Sequence, residues 1–142
     1  MQLRRNREIR STKIVTSFLK EDDKFLLLKR SNTVKTMKGL WAGVSGIIEN
    51  NEPPLRRAKI EIFEELGITG NKIKLLKSSS EMKVHSPQYD NHEWKIFPFL
   101  FEVKNPLIKL NWENSEFKWI TIDDIKNYET VPSIDKVLFS LL

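Results

Sequence analysis

The sequence predicts a single domain of the α/β class, on two observations. Runs rich in β-branched and aromatic residues recur along the chain, and the helical segments are segregated instead of following each strand, which favours an α/β sandwich. The length of 142 residues is enough for one domain with a hydrophobic core. No repeat, low-complexity tract or linker divides the chain, so residues 1–142 are predicted to form one domain.

The strands follow from β-rich runs and the turn residues between them. Lys13–Lys20 and Lys24–Arg30 are separated by Glu-Asp-Asp, which indicates a hairpin. A polar loop is expected from His85 to Glu93. The remaining strands are predicted at Leu40–Ile48, Ile73–Val84, Trp94–Val103 and Phe117–Ile120.

Three helices are predicted. The first, Leu55–Leu66, follows two prolines, which a first helical turn tolerates, and Gly67 is a natural stop. At ~100° per residue its apolar side chains form one stripe that can face a core. The other two are shorter and are expected at Asp123–Tyr128 and Ser133–Leu142.

Three glutamates share a face of the first helix. Glu61, Glu64 and Glu65 fall within an arc of about 100°. Like charges this close weaken a helix, and a divalent cation would relieve the repulsion. Mg²⁺ suits the site because hard cations take oxygen ligands. The alternative is a solvated acidic face without a metal.

The segment from Gly46 to Ile68, GIIENNEPPLRRAKIEIFEELGI, resembles the signature box of the Nudix hydrolases. That pattern is Gly, five residues, Glu, seven residues, then Arg-Glu-apolar-x-Glu-Glu-x-Gly-apolar. One defining position departs, because Ile60 stands where the family has arginine. Arg57 either replaces the missing cation or points to solvent while Ile60 contacts Phe63. The matching positions are Gly46, Glu52, Glu61, Ile62, Glu64, Glu65, Gly67 and Ile68.

The resemblance implies the Nudix fold, an α/β/α sandwich with a mixed sheet, in which the box forms a loop and a helix. It also implies an Mg²⁺-dependent hydrolase, with Mn²⁺ as a possible substitute, that cleaves a pyrophosphate bond in a nucleoside diphosphate linked to another group. The substrates open to it are nucleoside triphosphates including oxidised ones, nucleotide sugars, dinucleoside polyphosphates and capped RNA. The alternative is a catalytically weak or inactive Nudix-fold binding module for nucleotide, RNA or protein.

The same resemblance assigns roles within the box. Glu61 and Glu65 would be the principal metal ligands, with Glu64 and the carbonyl of Gly46 assisting. Glu52 would orient ligands or interact with the helix N-terminus. The expected catalytic residues are Glu61, Glu64 and Glu52. The general base is sought among four carboxylates, in the order Glu64, Glu61, Glu93 and Glu113.

Substrate contacts are expected from aromatic rings that stack and from cations that meet phosphate. For each aromatic residue the alternative is core packing. His85 and His92 are expected at the surface or against the leaving group, because no third metal ligand has suitable spacing. The candidate substrate residues are Arg30, Trp41, Trp94 and Phe97, followed by Lys29 and Tyr89.

Composition adds broad limits. The net charge of +5 favours polyanionic partners such as nucleotides or RNA, and Arg4, Arg5 and Arg7 are either a phosphate-binding surface or solubilising charges. The lack of cysteine excludes disulfides and thiolate metal sites. No apolar run approaches the ~20 residues that span a bilayer, and the N-terminus lacks a secretory signal's apolar region. The cytoplasm is therefore expected, with no membrane partner, and the oligomeric state stays open.

A narrower likeness lies partly outside the box. Four segments look like the Nudix domains carried by some archaeal proteins related to translation initiation factor 2B. They are GLWAGVSG (39–46), PFLFEV (98–103), LNWENSEFKWI (110–120) and TVPSIDKVL (130–138).

Overall fold

The computed structural model describes residues 10–85 and 91–142, and these form eight strands, two α-helices and two 3₁₀ helices. The strands are β1 Arg10–Glu21, β2 Lys24–Arg30, β3 Trp41–Ala42, β4 Val44–Ile47, β5 Lys74–Ser78, β6 Met82–His85, β7 His92–Glu102 and β8 Asn114–Ile120. The α-helices are α1 Pro54–Leu66 and α2 Ile134–Phe139, and the 3₁₀ helices are Gly70–Lys72 and Ile122–Asn127.

All eight strands join one mixed sheet. The long strands β1 and β7 run parallel at its centre, in register from Arg10 opposite His92 to Lys20 opposite Glu102. The other pairings are antiparallel, including the predicted hairpin of β1 and β2. Strand β4 pairs with β1 so that Gly46 lies opposite Val15, which places this glycine beside the central strand.

Helices cover both faces of the sheet, because alternate side chains of each strand point to opposite sides. On one face, Ala58, Ile62 and Leu66 of α1 pack in a core with residues of β1, β2 and β7. On the other, α2 and the second 3₁₀ helix pack against the opposite side chains of the same strands, which include Phe18 and Leu100. The predicted α/β/α sandwich with a mixed sheet is confirmed.

Two predicted strands are each divided in two. Leu40–Ile48 is interrupted at Gly43, where the chain passes from pairing with β2 to pairing with β1. A Cβ at Gly43 would lie 2.8 Å from the carbonyl oxygen of Ser17, so glycine permits this close passage. Ile73–Val84 is interrupted between β5 and β6, opposite Pro98 of β7. Proline has no N–H to donate to the ladder.

The helices agree with the prediction in position more closely than in type. Helix α1 begins at Pro54 and ends before Gly67, whose φ of 72° and N–H bond to the Phe63 carbonyl (2.9 Å) stop it as predicted. The segment predicted as Asp123–Tyr128 is a 3₁₀ helix. The last helix, predicted as Ser133–Leu142, has six residues. None of the helices described is long and apolar enough to cross a membrane.

Candidate active site

The glutamates of α1 are divided between the interior and the surface. Glu61 and Glu65 are buried, at 9% and 4% exposure, whereas Glu64 is exposed. The buried pair lies on the side of the helix that meets β4 and the start of β8. The acidic face expected from the sequence is therefore two buried carboxylates with an exposed neighbour.

Glu65 is held by a residue from a distant part of the chain. The Asn114 side-chain amide donates a hydrogen bond to its Oε1 (3.0 Å), while its Oε2 is buried with no hydrogen-bond partner in the described part of the chain. Burial raises the pKa of Glu65 well above its ordinary value, the charge of Glu113 raises it further, and Arg30 opposes the shift. A carboxylate in this setting is costly unless a cation or proton compensates it.

Glu61 packs directly against Gly46. A Cβ built on Gly46 would overlap the Cγ and Cδ of Glu61, so only glycine leaves room for this carboxylate beside β4. Burial raises the pKa of Glu61, and a hydrogen bond from Arg57 opposes that shift. Gly46, which opens the sequence pattern, is therefore in contact with Glu61, a glutamate of the same pattern.

Arg57 connects the loop before α1 to the helix. Its Nε and Nη2 donate to the two carboxylate oxygens of Glu52 (2.6 and 3.1 Å), and its Nη1 donates to Glu61 Oε2 (3.0 Å). The bond from Arg57 is the largest cause that lowers the pKa of Glu52 to about 2, and the same contacts raise the arginine pKa further. The alternative in which Arg57 points to solvent is wrong. Ile60 is half-buried, and Phe63 is exposed.

A cavity of about 450 Å³ opens beside Glu61, on the sheet face that carries α2. Its size is in the range of small-molecule sites. The wall near α1 includes Glu61, Gly46 and Glu113, and the far wall is mainly apolar. Arg30 lies in the lining and is fixed by bonds from its Nε and Nη2 to the Thr36 carbonyl (3.2 and 3.0 Å). The apolar and aromatic part of the lining includes Ile14, Val84, Trp94, Ile96, Val131 and Val137.

The structure brings some predicted substrate residues to this cavity and leaves others away from it. Arg30 and Trp94 line it, as does His85. Trp41 is buried in the α2-side core, edge-on to Tyr128 with ring centroids 5.2 Å apart. Phe97 packs on the opposite face of the sheet, against the α1-side core. Core packing, the alternative considered for each aromatic residue, describes both.

The remaining predicted residues have other neighbours or lie outside the described residues. Lys29 pairs with Glu116 (3.6 Å). The ring Nε2 of His92 lies 3.0 Å from Thr12 Oγ1, and its ring is 5.1 Å from that of Trp94. Tyr89, Arg4, Arg5 and Arg7 lie outside the residues that the structure describes.

The four candidate bases are separated by the fold. Glu113 and Glu61 line the cavity. Glu93 lies at the start of β7 and accepts a bond from the Ser11 hydroxyl (3.1 Å), away from the cavity lining. Glu64 is exposed on α1. Glu113 was ranked last of the four candidate bases from the sequence, yet in the structure it lies close enough to Glu61 and Glu65 to raise their pKa values.

Two site residues were missed from the sequence. Asn114 fixes Glu65, and Glu49 lines the cavity with its Oε2 3.7 Å from Arg57 Nη2. The polar pair Glu113-Asn114 directly before a strand was the available signal for Asn114. Its contact with residue 65 depends on strand pairing that local pattern does not specify.

The donors at this site fit a divalent cation. They are oxygens of two buried carboxylates, one with an unpartnered oxygen, and Gly46 packs against the carboxylate of Glu61. Within residues 10–85 and 91–142, no three His, Cys, Asp or Glu side chains already form a metal cage. Mg²⁺ does not need such a cage, because it commonly binds through one or two carboxylates together with waters and substrate phosphates.

Comparison with known proteins defines the class. A NUDIX domain family model matches residues 10–141, so the chain belongs to the Nudix family as a Nudix-type pyrophosphohydrolase, and enzymes of this family generally use divalent metals. The chain is similar to the dihydroneopterin triphosphate diphosphatase of Haemophilus influenzae, with 25% identity over 156 residues that cover 99% of this chain and 92% of the relative.

Solved structures agree on the fold. A MutT protein from Methanosarcina mazei superposes with a TM-score of 0.72 and 24% identity, covering 93% of this chain and 92% of that one. An Ap4A hydrolase from C. elegans superposes with a TM-score of 0.70 and 16% identity, covering 93% and 94%.

Proposed function

We propose that this protein is an Mg²⁺-dependent hydrolase that cleaves a phosphoanhydride bond in a small triphosphate built on an aromatic heterocycle, such as a nucleoside triphosphate. The observation that carries the proposal is the cavity that joins an apolar, tryptophan-lined recess to Glu61 and Glu113, with Arg30 in the same lining. A relative that acts on dihydroneopterin triphosphate supports a substrate of this kind. Nucleotide sugars, dinucleoside polyphosphates and capped RNA are the other substrates to test.

The recess binds the ring of the substrate. Trp94 offers a flat face for stacking, and Ile96 and Val84 contribute apolar contacts. His85, at the end of β6, can bond to a polar group of the ring or sugar. Arg30, already oriented by the Thr36 carbonyl, meets the phosphates, because a guanidinium binds phosphate oxygens through paired hydrogen bonds.

The carboxylates of α1 serve the reaction at phosphorus. Glu61, Glu65 and the Gly46 carbonyl would hold Mg²⁺, with Glu64 assisting. When bound, Mg²⁺ neutralises phosphate charge and lowers the pKa of a coordinated water. Asn114 keeps Glu65 in place by its bond to Oε1, which leaves Oε2 for the cation.

A carboxylate must accept the proton of the attacking water. The water oxygen forms a new bond to phosphorus, and the bridging P–O bond breaks with its electrons passing to the leaving phosphate. Glu113 suits the role because it lines the cavity and Asn111 bonds to its Oε1 (3.1 Å). Glu64 stays a candidate for the base. Glu113→Gln and Glu64→Gln, with Glu93→Gln as the control, distinguish the two by loss of turnover.

The decisive experiment is a hydrolysis screen of nucleoside and pterin triphosphates, nucleotide sugars, dinucleoside polyphosphates and capped RNA at millimolar Mg²⁺ or Mn²⁺. We expect product from a small triphosphate that disappears when a chelator is added. Binding of a nucleotide without turnover under every metal condition would contradict the proposal and favour the binding module. The observation that favours a binding module is Ile60, which stands in place of the box arginine.

Three wider assignments accompany this proposal. A cytoplasmic location and a relation to archaeal translation initiation factor 2B-like proteins rest on the sequence alone. An RNA partner rests on the positive net charge and on Arg4, Arg5 and Arg7. Neutralising these three arginines should flatten the salt dependence of RNA affinity if they bind a polyanion, and an unchanged slope would make them solubilising charges.

A further inference from the structure

We propose that Arg57 is the residue that positions Glu61 for metal binding, in place of the arginine that Nudix boxes carry at the position of Ile60. The inference deepens the proposed hydrolase function and rests on it. Arg57 acts through Glu52 and Glu61 and is a positioning residue, because it contacts the carboxylates and not the reacting atoms.

The first support is the number and geometry of its contacts. All three guanidinium nitrogens of Arg57 are used: Nε and Nη2 on the two oxygens of Glu52, and Nη1 on Glu61 Oε2. The arginine side chain is 13% exposed, and those of Glu52 and Glu61 are 8% and 11% exposed. A paired contact of this kind fixes orientation as well as charge, because the guanidinium is planar and rigid.

The second support is the position of Glu61 between two fixed neighbours. Its side chain packs against Gly46, which has no Cβ to displace it, and one of its oxygens accepts the bond from Arg57. Within the described part of the chain, Arg57 is the one residue with a hydrogen bond to this carboxylate. Because Arg57 donates to Oε2, the carboxylate of Glu61 cannot rotate freely, and this fixes the orientation of its other oxygen, Oε1.

The third support is the place of Ile60 on the same helix. Residues 57 and 60 lie about 60° apart around the helix and one turn apart along it. Helical side chains lean toward the N-terminus, so an arginine at residue 60 covers the preceding turn, where Glu52 and Glu61 meet Arg57. Either position can therefore supply the cation, and in this chain the isoleucine leaves the task to Arg57.

Arg56 provides a matched control. It is adjacent in sequence, has the same charge and bonds to Glu52 Oε1 (2.5 Å), but it is 63% exposed and has no contact with Glu61. A role that merely ties the loop to the helix through Glu52 would involve both arginines. A role in placing Glu61 involves Arg57 alone.

The experiment measures Mn²⁺ binding by calorimetry without substrate, thermal midpoints, and kcat and KM for a triphosphate that the screen has identified. The variants are Arg57→Ala, Arg57→Lys, Arg56→Ala and the double variant Arg57→Ala with Ile60→Arg. We expect Arg57→Ala to weaken Mn²⁺ binding and lower kcat by about 10- to 100-fold, the range for residues that orient metal ligands. Arg57→Lys, which keeps the charge and loses the fork, should fold and give a partial loss, and Arg56→Ala should stay within about threefold of the parent. The double variant should recover most of the lost affinity.

Three outcomes would overturn the inference. They are Mn²⁺ affinity within about twofold of the parent in both Arg57 variants, an equal loss in Arg56→Ala, and a folded double variant that binds no better than Arg57→Ala. Failure of the hydrolase proposal has a different signature, because the parent protein would then bind Mn²⁺ but release no product. The metal-binding comparison of the four variants would still decide the role of Arg57.

Discussion

Replacing Glu65 with glutamine should stabilise the metal-free protein and abolish its response to metal. The substitution preserves volume and keeps an oxygen for the bond from Asn114. It removes the negative charge of a carboxylate whose Oε2 is buried without a partner in the described chain. An unpaired buried charge costs more than an unpaired amide, and the difference is on the order of 1–2 kcal/mol. For a chain of this length that corresponds to a rise in melting temperature of roughly 3–6 °C.

The pKa of Glu65 determines how the stability advantage of Glu65→Gln changes with pH. Burial raises the pKa of Glu65 above its ordinary value of 4.5, so the folded state favours the protonated carboxyl. That contribution to stability is fully present below pH 4.5 and is lost as the pH rises through the raised folded pKa. The advantage of Glu65→Gln should therefore be small in acid and largest at neutral and alkaline pH.

The assay is thermal unfolding at several pH values, with a chelator and with excess Mg²⁺. The parent should gain stability from the metal, by about 2.7 kcal/mol at a free concentration of 100 Kd, and the variant should gain little. Glu64→Gln is the control for unfolding in chelator, since it removes the same charge from an exposed position of the same helix. The reasoning is refuted if Glu65→Gln unfolds at a lower temperature than the parent in chelator at pH 8, or if Mg²⁺ stabilises both proteins equally.

Three further substitutions test other parts of the site. Gly46→Ala should weaken Mn²⁺ binding about tenfold or more, because the added Cβ would displace Glu61. Gly70→Ala, with open space around it, should leave Mn²⁺ binding unchanged, and equal Mn²⁺ affinities of the two variants would contradict the packing of Glu61 on Gly46. Glu52→Gln should remove part of the loss of stability as the pH falls from 4.5 toward 2, because the native pKa of Glu52 is about 2; identical acid profiles would count against this. Trp94→Ala should raise KM for a triphosphate about tenfold if the ring stacks on it, whereas exposed Trp112→Ala should not; matching KM values would exclude stacking on Trp94.

The sequence predicted those features that depend on local pattern. The apolar stripe, the paired prolines and the terminal glycine located α1 to within a residue at its start, and the repeated β-rich runs located the strands. The divided strands were missed because their interruptions depend on partners: at Gly43 the chain changes from one neighbouring strand to another, and Pro98 interrupts the ladder from across the sheet. Local pattern does not contain these pairings.

The candidate site shows the same boundary between local and distant contacts. Arg57 lies one turn before Glu61, so their contact followed from the helix, whereas the bond of Asn114 to Glu65 joins residues 49 apart. One error was avoidable. Trp94 and Phe97 lie three residues apart on a strand, and a period of two places such residues on opposite faces. The two aromatic rings could not have lined one pocket.

Two separate parts of the chain line the cavity. Its wall near Glu61 comes from β4 and α1, while part of its apolar wall comes from residues 131–137, near the C-terminus of the sequence and on the other face of the sheet from α1. Changes in Val131, Pro132 or Val137 can therefore reshape the recess without displacing a glutamate of α1. If the proposed function is correct, a library restricted to residues 131–137 should change which ring the recess accepts while Glu61 and Glu65 keep their positions.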